Sequence, residues 1–334
     1  MDLINSLESV KKGLAGKEIV EQTTSFLFNN KNVIAYNDEI CAIAPSPIDI
    51  KGAVEAESLL KLLNKTNDKE LKIEVKKDEL RIKGKNFNTG IKLDKEIRLP
   101  IEDVKVPDEF LEVPQNFSQS CKLACLTAAK NSNPADISTY VHFDENRIES
   151  CDNDRLTIID TDTEDADIET LVPATNLLSI AKENIVGVAT DDTWMHFKTD
   201  EDVILSSRIV NEEYVDLDEH LPDESEASLI QFPQEIKEVL NRADVFSKDS
   251  ITSERNITVS IQAKKLTISA QNESGWFEET IDIDSKKSFE FTINPEFLRD
   301  VLNLSNEVYI VDDMLMFKDD NSTHLIKLDI EDEE

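Results

Sequence analysis

The sequence predicts an α+β protein in which one domain is written three times, each copy carrying two helices packed on antiparallel sheets. A recurring triplet is the first reason. An apolar pair at i and i+2, then a third apolar residue at i+7, appears as Phe26, Phe28, Val33, as Val141, Phe143, Ile148, and as Val259, Ile261, Leu266. Each has a companion 45 to 49 residues later: Ile73, Val75, Leu80; the weaker Val186, Val188, Thr193; and Val308, Ile310, Leu315. The first set returns after 115 and then 118 residues, the second after 113 and then 122. A pair at i, i+2 puts two side chains on one strand face, and the polar residues between (Asn29 to Asn32, Lys76 to Glu79, Gln262 to Lys265) suit a tight turn into a second strand. Repetition at this distance divides the chain into domains at 1–106, 107–222 and 223–334, each built of two halves.

The second reason is that a helical pattern precedes each half. Leu3 to Leu14 places Leu3, Leu7, Val10 and Leu14 on one stripe, and Glu57 to Lys65 carries Leu59, Leu60, Leu62 and Leu63. Gln115 to Lys130 carries Phe117, Leu123, Ala124 and Ala128. The fourth segment opens at Pro173, a favourable first-turn residue, and runs through Leu177, Leu178 and Ala181. Pro233 to Ala243 carries Ile236, Val239 and Leu240. In the sixth, Asn294 can cap, Pro295 opens the first turn, and Phe297, Leu298, Val301 and Leu302 form the stripe. Proline-bearing stretches at Leu99 to Val113 and Asp216 to Ser228 read as linkers, and Asp329 to Glu334 as a frayed acidic tail.

Composition excludes several classes. A net charge of -34 on 334 residues repels nucleic acid from most of the surface, while 39% hydrophobic residues still support true cores. Seven glycines, with neither GxGxxG nor GxxxxGK[ST], argue against a phosphate-cradling loop. Cys41, Cys121, Cys125 and Cys151 lack disulfide-framework spacing and read as buried thiols of a reducing cytoplasm. MDLINSLESVKK has no signal-peptide core, and no apolar run approaches the ~18 residues of a membrane span. Asp160, Asp162, Glu164 and Asp167 imitate a calcium loop, but Asp165 and Leu171 stand where glycine and glutamate are needed. Cys121 and Cys125 share a helix face without a second ligand pair. His142, His196, His220 and His324 have no nucleophile at a recognisable spacing, and His142 and His324 alternate within strands as structural residues do. No enzyme, metal or cofactor is expected.

Charge is unevenly placed. The helical windows 2–17, 55–69, 115–130, 173–184, 232–248 and 294–304 hold 13 Lys and Arg against 11 Asp and Glu, net +2; the rest carries -36. Lysine is a good helix former, which is one reading of the contrast. The other is a face kept approachable by phosphates within an acid shell. An acidic protein that mimics DNA would explain the total, but predicts acid on helices and strands alike. A carboxylate-based hydrolase finds endless candidate residues and no motif.

Four stretches in order resemble the bacterial-type beta sliding clamp, the processivity factor of replicative DNA polymerases: Asp152–Leu156 (DNDRL), Arg208–Pro222 (RIVNEEYVDLDEHLP), Leu266–Glu273 (LTISAQNE) and Asn294–Leu302 (NPEFLRDVL). The resemblance covers essentially the whole chain and implies three DNA-clamp domains, a head-to-tail homodimer closed into a ring, helices lining the hole and sheets outside. Its implied partners are encircled duplex DNA, a DNA polymerase and a clamp loader, in the cytoplasm of a bacterial cell or phage-infected host and away from membranes. Lys17 and Lys65 fall where the family has arginines; Lys122, Lys130, Lys182, Lys237, Arg242 and Arg299 are further DNA-facing candidates from helix position.

The family's partner-peptide pocket maps to Cys151, Asp154, Arg155, Leu156, Val215, His220 and Phe297, with Met316 and Leu325. Its chemistry would be apolar anchoring in a shaped groove. This chain departs from the family there. Asn153 and Asp154 replace a Gly-His pair, Val215 replaces a proline, and LIKLDIEDEE replaces the usual Met-Pro-Met-Arg-Leu ending, as suits a phage or otherwise divergent clamp. At the subunit seam, Lys83, Lys85 and Phe87 would meet Val245, Phe246, Glu278 and Glu279 of the other copy, opposite charges around an apolar centre.

Overall fold

The computed structural model describes residues 2–66, 71–130, 133, 135–161, 168–249 and 254–330. One order of elements recurs three times. The first repeat runs α1 (Leu3–Val10), β1 (Ser25–Asn29), β2 (Asn32–Tyr36), β3 (Ile40–Pro45), β4 (Gly52–Glu55), α2 (Ala56–Asn64), β5 (Lys72–Lys76), β6 (Glu79–Lys83) and β7 (Asn88–Asp94). The second runs β8 (Leu111–Glu112), α3 (Phe117–Ala124), β9 (Tyr140–Asp144), β10 (Arg147–Cys151), β11 (Arg155–Asp160), β12 (Glu169–Pro173), α4 (Ala174–Ile180), β13 (Ile185–Thr190), β14 (Trp194–Thr199) and β15 (Ile204–Arg208). The third runs β16 (Ser228–Gln231), α5 (Ile236–Ala243), β17 (Ile257–Gln262), β18 (Lys265–Asn272), β19 (Gly275–Asp282), β20 (Phe289–Ile293), α6 (Pro295–Leu304), β21 (Glu307–Val311), β22 (Met314–Lys318) and β23 (Ser322–Lys327).

Four of the apolar triplets are two-residue hairpins, whereas in the weaker one Val188 faces Phe197 and not Thr193. Phe28 faces Val33, Val75 faces Leu80, Ile261 faces Leu266 and Ile310 faces Leu315 across antiparallel pairs. Their turns need left-handed backbone, which this glycine-poor chain takes with other residues: Asn30 and Lys31 at φ 50° and 62°, Ala263 and Lys264 at 50° and 64°. The weaker triplet has a physical counterpart. β13 carries a register shift between Ile185 and Gly187, and Val186 is exposed there.

The first, third, fourth and fifth helices are shorter than the periodicity predicts. The first ends at Val10 and tightens into a 3-10 turn, Lys11–Gly13. There Gly13 is buried so closely on β2 that a Cβ would lie 2.5 Å from the Ala35 carbonyl oxygen. The third spans Phe117–Ala124 instead of Gln115 to Lys130, and the fifth starts at Ile236, three residues after Pro233. The sixth follows its signals: Pro295 occupies the first turn, and the Asn294 side chain accepts the Glu296 amide at 2.9 Å. Both linkers hold short structure, with a 3-10 turn at Ile101–Asp103 ahead of β8 and others at Asp218–His220 and Glu224–Glu226. Of the calcium-like run, residues 162–167 lie outside the described residues, as do 331–334 of the tail.

Two compact units emerge: Met1–Cys125, Asn133–Ile148 and Thr161–Glu213 form one, and Leu126–Ser132, Glu149–Asp160 and Tyr214–Glu334 the other. In the first, α1 packs on α2 and α3 on α4. Strands β4, β1, β2 and β3 continue through a β3–β15 pairing into β14, β13 and β8. Trp194 is buried there beside Tyr36, 6.2 Å between ring centroids, with Leu27, Leu99 and Val104. In the second, α5 packs on α6. Strands β20, β17, β18 and β19 form one sheet, and β16, β21, β22, β23 and β11 run adjacent in another. Phe232, Ile236, Leu240, Val259, Leu266, Leu298, Leu302 and Leu315 make its core. No helix among the described residues is long and apolar enough to cross a membrane.

Candidate functional site

Strand register builds an apolar row on the face of the second unit's five-stranded arrangement that looks away from that core. Leu229 faces Tyr309, Tyr309 faces Met316, Met316 faces Leu325, and Leu325 faces Leu156. Directly opposed antiparallel residues share a face, so the row crosses five strands. Its β11 end is buried, with Leu156, Met316 and Leu325 joined by Ile158, Leu217 and Val311. At the other end Leu229 is 55% exposed. Cys151 packs at the margin, and its backbone N–H donates to the Tyr214 hydroxyl at 3.0 Å. Burial raises the Cys151 thiol and the Tyr214 phenol above their ordinary pKa, so both stay neutral.

Four expected pocket residues therefore converge: Cys151, Leu156, Met316 and Leu325. Val215 and His220 are exposed and stand outside the cluster, and Asp154 is exposed in the turn before β11. Tyr214 and Leu217 were missed. Their signal was legible, as apolar residues at i and i+3 inside the acidic run NEEYVDLDEH. Tyr309 and Leu229 were missed as well; only strand register reveals them.

Arg155 and Phe297 lie elsewhere. Neighbours on a strand point to opposite faces, so Arg155 leaves the row that Leu156 joins and faces Ile326 of the core. Asp152 anchors the turn: its Oδ1 accepts the Arg155 amide at 2.8 Å, and its Oδ2 accepts Arg155 Nε at 3.1 Å and Nη2 at 2.8 Å. The guanidinium carbon sits 3.8 Å from the Phe297 ring centroid, and Nη1 is 3.6 Å from Asp300 Oδ2. The arginine side chain is 2% exposed. It works as an internal strut, with the cation stacked on an aromatic face. Burial raises the Asp300 carboxyl above the usual range, and Asp154, although exposed, is raised by partial desolvation in its turn and then by the charges of Asp152 and Asp329.

The helix cations divide in two. Lys17 lies beyond the 3-10 turn after α1, Lys65 caps α2 and Lys182 follows α4; all three are exposed. Lys122 and Lys237 are half-buried on α3 and α5, and none of these five makes an ion pair among the described residues. The remaining three are engaged. Lys130 Nζ is 2.6 Å from Glu296 Oε1, and Arg299 Nη2 is 3.3 Å from Asp244 Oδ2. Arg242 forks onto Glu279 at 2.9 and 2.8 Å. That fork joins a residue expected to face DNA to one expected at the subunit seam.

The remaining seam residues flank two strand edges. β19, carrying Glu278 and Glu279, pairs with β18 alone and ends its sheet. Val245 is exposed, while the half-buried Phe246 closes over Gly275, where a Cβ would lie 3.1 Å from the ring and φ is 157°. Phe87 leads into β7, whose contact with β4 is confined to Leu93 and Asp94, so its earlier residues keep one side unpaired among the described residues. Lys83 Nζ is 3.3 Å from Glu74, and Lys85 is exposed.

No protein-family model and no curated protein matches this sequence. Solved structures do. A putative DNA polymerase III beta subunit from Eubacterium rectale superposes with a TM-score of 0.81 at 18% identity, over 98% of this chain and 96% of that one. DNA polymerase III beta from Thermotoga maritima gives 0.79 at 17%, with the same coverage. A sliding clamp from Pseudomonas aeruginosa bound to griselimycin gives 0.80 at 15%, again over 98% and 96%. The chain has the fold of the beta sliding clamps, at 15% to 18% sequence identity to these three structures.

Proposed function

We propose that this chain is a DNA sliding clamp, a non-catalytic ring that encircles duplex DNA and tethers a replicative DNA polymerase. The observation that carries the reading is the threefold element order, matched over 98% of the chain by structures of beta sliding clamps. The domains are 1–106, 107–222 and 223–334. Two copies associate head to tail through the free sides of β7 and β19, with Lys83, Lys85 and Phe87 of one meeting Val245, Phe246 and Glu278 of the other. Support comes from the two unpaired edges and their opposite charge. A loader opens the ring, and the work is done in the cytoplasm. The acidic-mimic reading has no support in the fold.

The partner tail docks on the row from Leu229 to Leu156. Glu212, Glu213, Asp216, Asp218 and Glu219 flank Tyr214 and Leu217, so the tail combines apolar anchors with basic neighbours. Topology tests the function. Loaded protein should stay on closed circular DNA and run off once the circle is cut; equal retention on linear and circular duplex would sink the clamp reading.

A further inference from the structure

The repeat's pairing rule is left unfilled at β5 among the described residues. A strand precedes each helix from α2 to α6, and it pairs antiparallel with the first strand after the other helix of its repeat: β4 on β1, β8 on β13, β12 on β9, β16 on β21, β20 on β17. By that rule a strand ahead of α1 would lie on β5. Among the described residues none does: Asp2 caps α1 directly, accepting the Asn5 amide at 2.9 Å, and β5 pairs with β6 alone.

Side chains register the gap. The i+2 residue of the hairpin triplet is fully or almost fully buried in five copies, as Phe28, Phe143, Val188, Ile261 and Ile310. In the sixth, Val75 on β5 is 41% exposed, although its cross-strand partner Leu80 is wholly buried. A cleft of about 690 Å³ opens beside it, lined by Ile48, Ile50, Ile73, Val75 and Leu93. Lys51 and Lys95 also line it, Lys72 and Lys76 lie on β5, and Lys77 is in the turn that follows. Of the nearby carboxylates, Glu74 is 3.5 Å from Lys72 and Asp78 is 2.9 Å from Lys95, which leaves Lys51, Lys76 and Lys77 without ion pairs among the described residues, against Asp49.

The geometry points to β5 as an acceptor edge for an extended acidic segment of a partner protein, added antiparallel as a new strand. Unpaired strand amides and carbonyls supply the backbone recognition, and apolar side chains at every second position enter the cleft. The intervening carboxylates meet the lysines. This inference uses neither the DNA-facing helices nor the apolar row of the second unit, so it stands or falls apart from the clamp reading.

The test is hydrogen exchange on the full chain with a capped nine-residue peptide in which Val and Ile alternate with Glu and Thr. Alternate β5 amides should exchange rapidly in the free protein and slow at least tenfold at saturating peptide. N-methylation of alternate peptide nitrogens, or lysine in place of the glutamates, should weaken binding at least tenfold. So should Val75→Lys, with Ile50→Lys as a second variant in case that one folds poorly. Protection of β5 in the free protein, protection that rises with protein concentration alone (a second copy on the edge), or binding indifferent to these changes overturns the proposal.

Discussion

His324 is the side chain whose chemistry reaches furthest in this fold. It is wholly buried on β23, with Nδ1 2.7 Å from the Thr157 hydroxyl, which in turn accepts from Thr127 at 2.9 Å; Thr127 also lies 2.5 Å from the Ser150 hydroxyl. Nε2 has no partner among the described residues. Burial, reinforced by the charge of Arg155, pushes the imidazole down to about 3. The unfolded chain then binds the extra proton below the ordinary value of about 6.5, so stability falls as pH drops through that point and on toward 3. This group alone should make the protein about 2–3 kcal/mol less stable at pH 4.5 than at pH 7.5. His324→Gln keeps a partner for Thr157 and cannot titrate. Urea midpoints at the two pH values should therefore converge in the variant relative to the parent, and an undiminished acid loss would place the sensitivity in the carboxylates. That His324 sits in a strand was legible from alternation. Its hydroxyl chain was not, because Thr127, Ser150 and Thr157 come from separate stretches that only folding brings together.

At the level of elements, the hairpins were legible and the helix ends were not, for one physical reason. A two-residue turn holds i+2 opposite i+7 locally, whereas a helix stops where tertiary contact overrides its pattern, as at Gly13 on β2. The turn residues were hidden as well: Ala263 and Lys264 adopt positive φ at 50° and 64°, a conformation unfavourable to side chains with a Cβ. Ala263→Gly should relieve that strain by about 1–2 kcal/mol against roughly 0.5–1 kcal/mol of added chain entropy. The net is a modest rise in the urea midpoint, and a fall would show the turn to be relaxed. The candidate pocket splits the same way. The resemblance to the clamp family pointed to Leu156, Met316 and Leu325, which strand register brings onto one face, but it also pointed to the Arg155 and Phe297 pair, which belongs to the opposite face. Truncating Phe297 would strip the ring from a buried cation, so Leu229→Ser with Tyr309→Ala is the cleaner probe of the row. Affinity for the cognate polymerase tail should weaken by about 2 kcal/mol, in the hot-spot range, with the unfolding transition still cooperative. A polymerase that binds the double variant as tightly as the parent docks elsewhere.

Across the whole molecule, the contrast of +2 on the helical windows against -36 elsewhere is what connects fold to function. The sequence could count those charges but not their engagement: Lys130, Arg242 and Arg299 are tied to carboxylates 37 to 166 residues away. Lys17, Lys65 and Lys182 remain exposed, without ion pairs among the described residues, and are the cations the proposed clamp function would set against phosphates. If the helices face encircled DNA, contact is weak and independent of sequence, because phosphate neutralisation carries no base information. Each lysine that neutralises a phosphate also contributes close to one unit to the salt dependence of binding. Reversing Lys17, Lys65 and Lys182 to Glu should therefore cut loading on nicked circles and flatten that dependence. Folding should hardly change, since exposed lysines contribute little to stability. The matched control reverses Lys31, Lys286 and Lys327, exposed residues off the helices, and alters total charge by the same amount. A loss confined to the helix triple assigns the DNA-facing surface. Equal losses would mean that only net charge matters, and no loss in either would take the helices away from DNA.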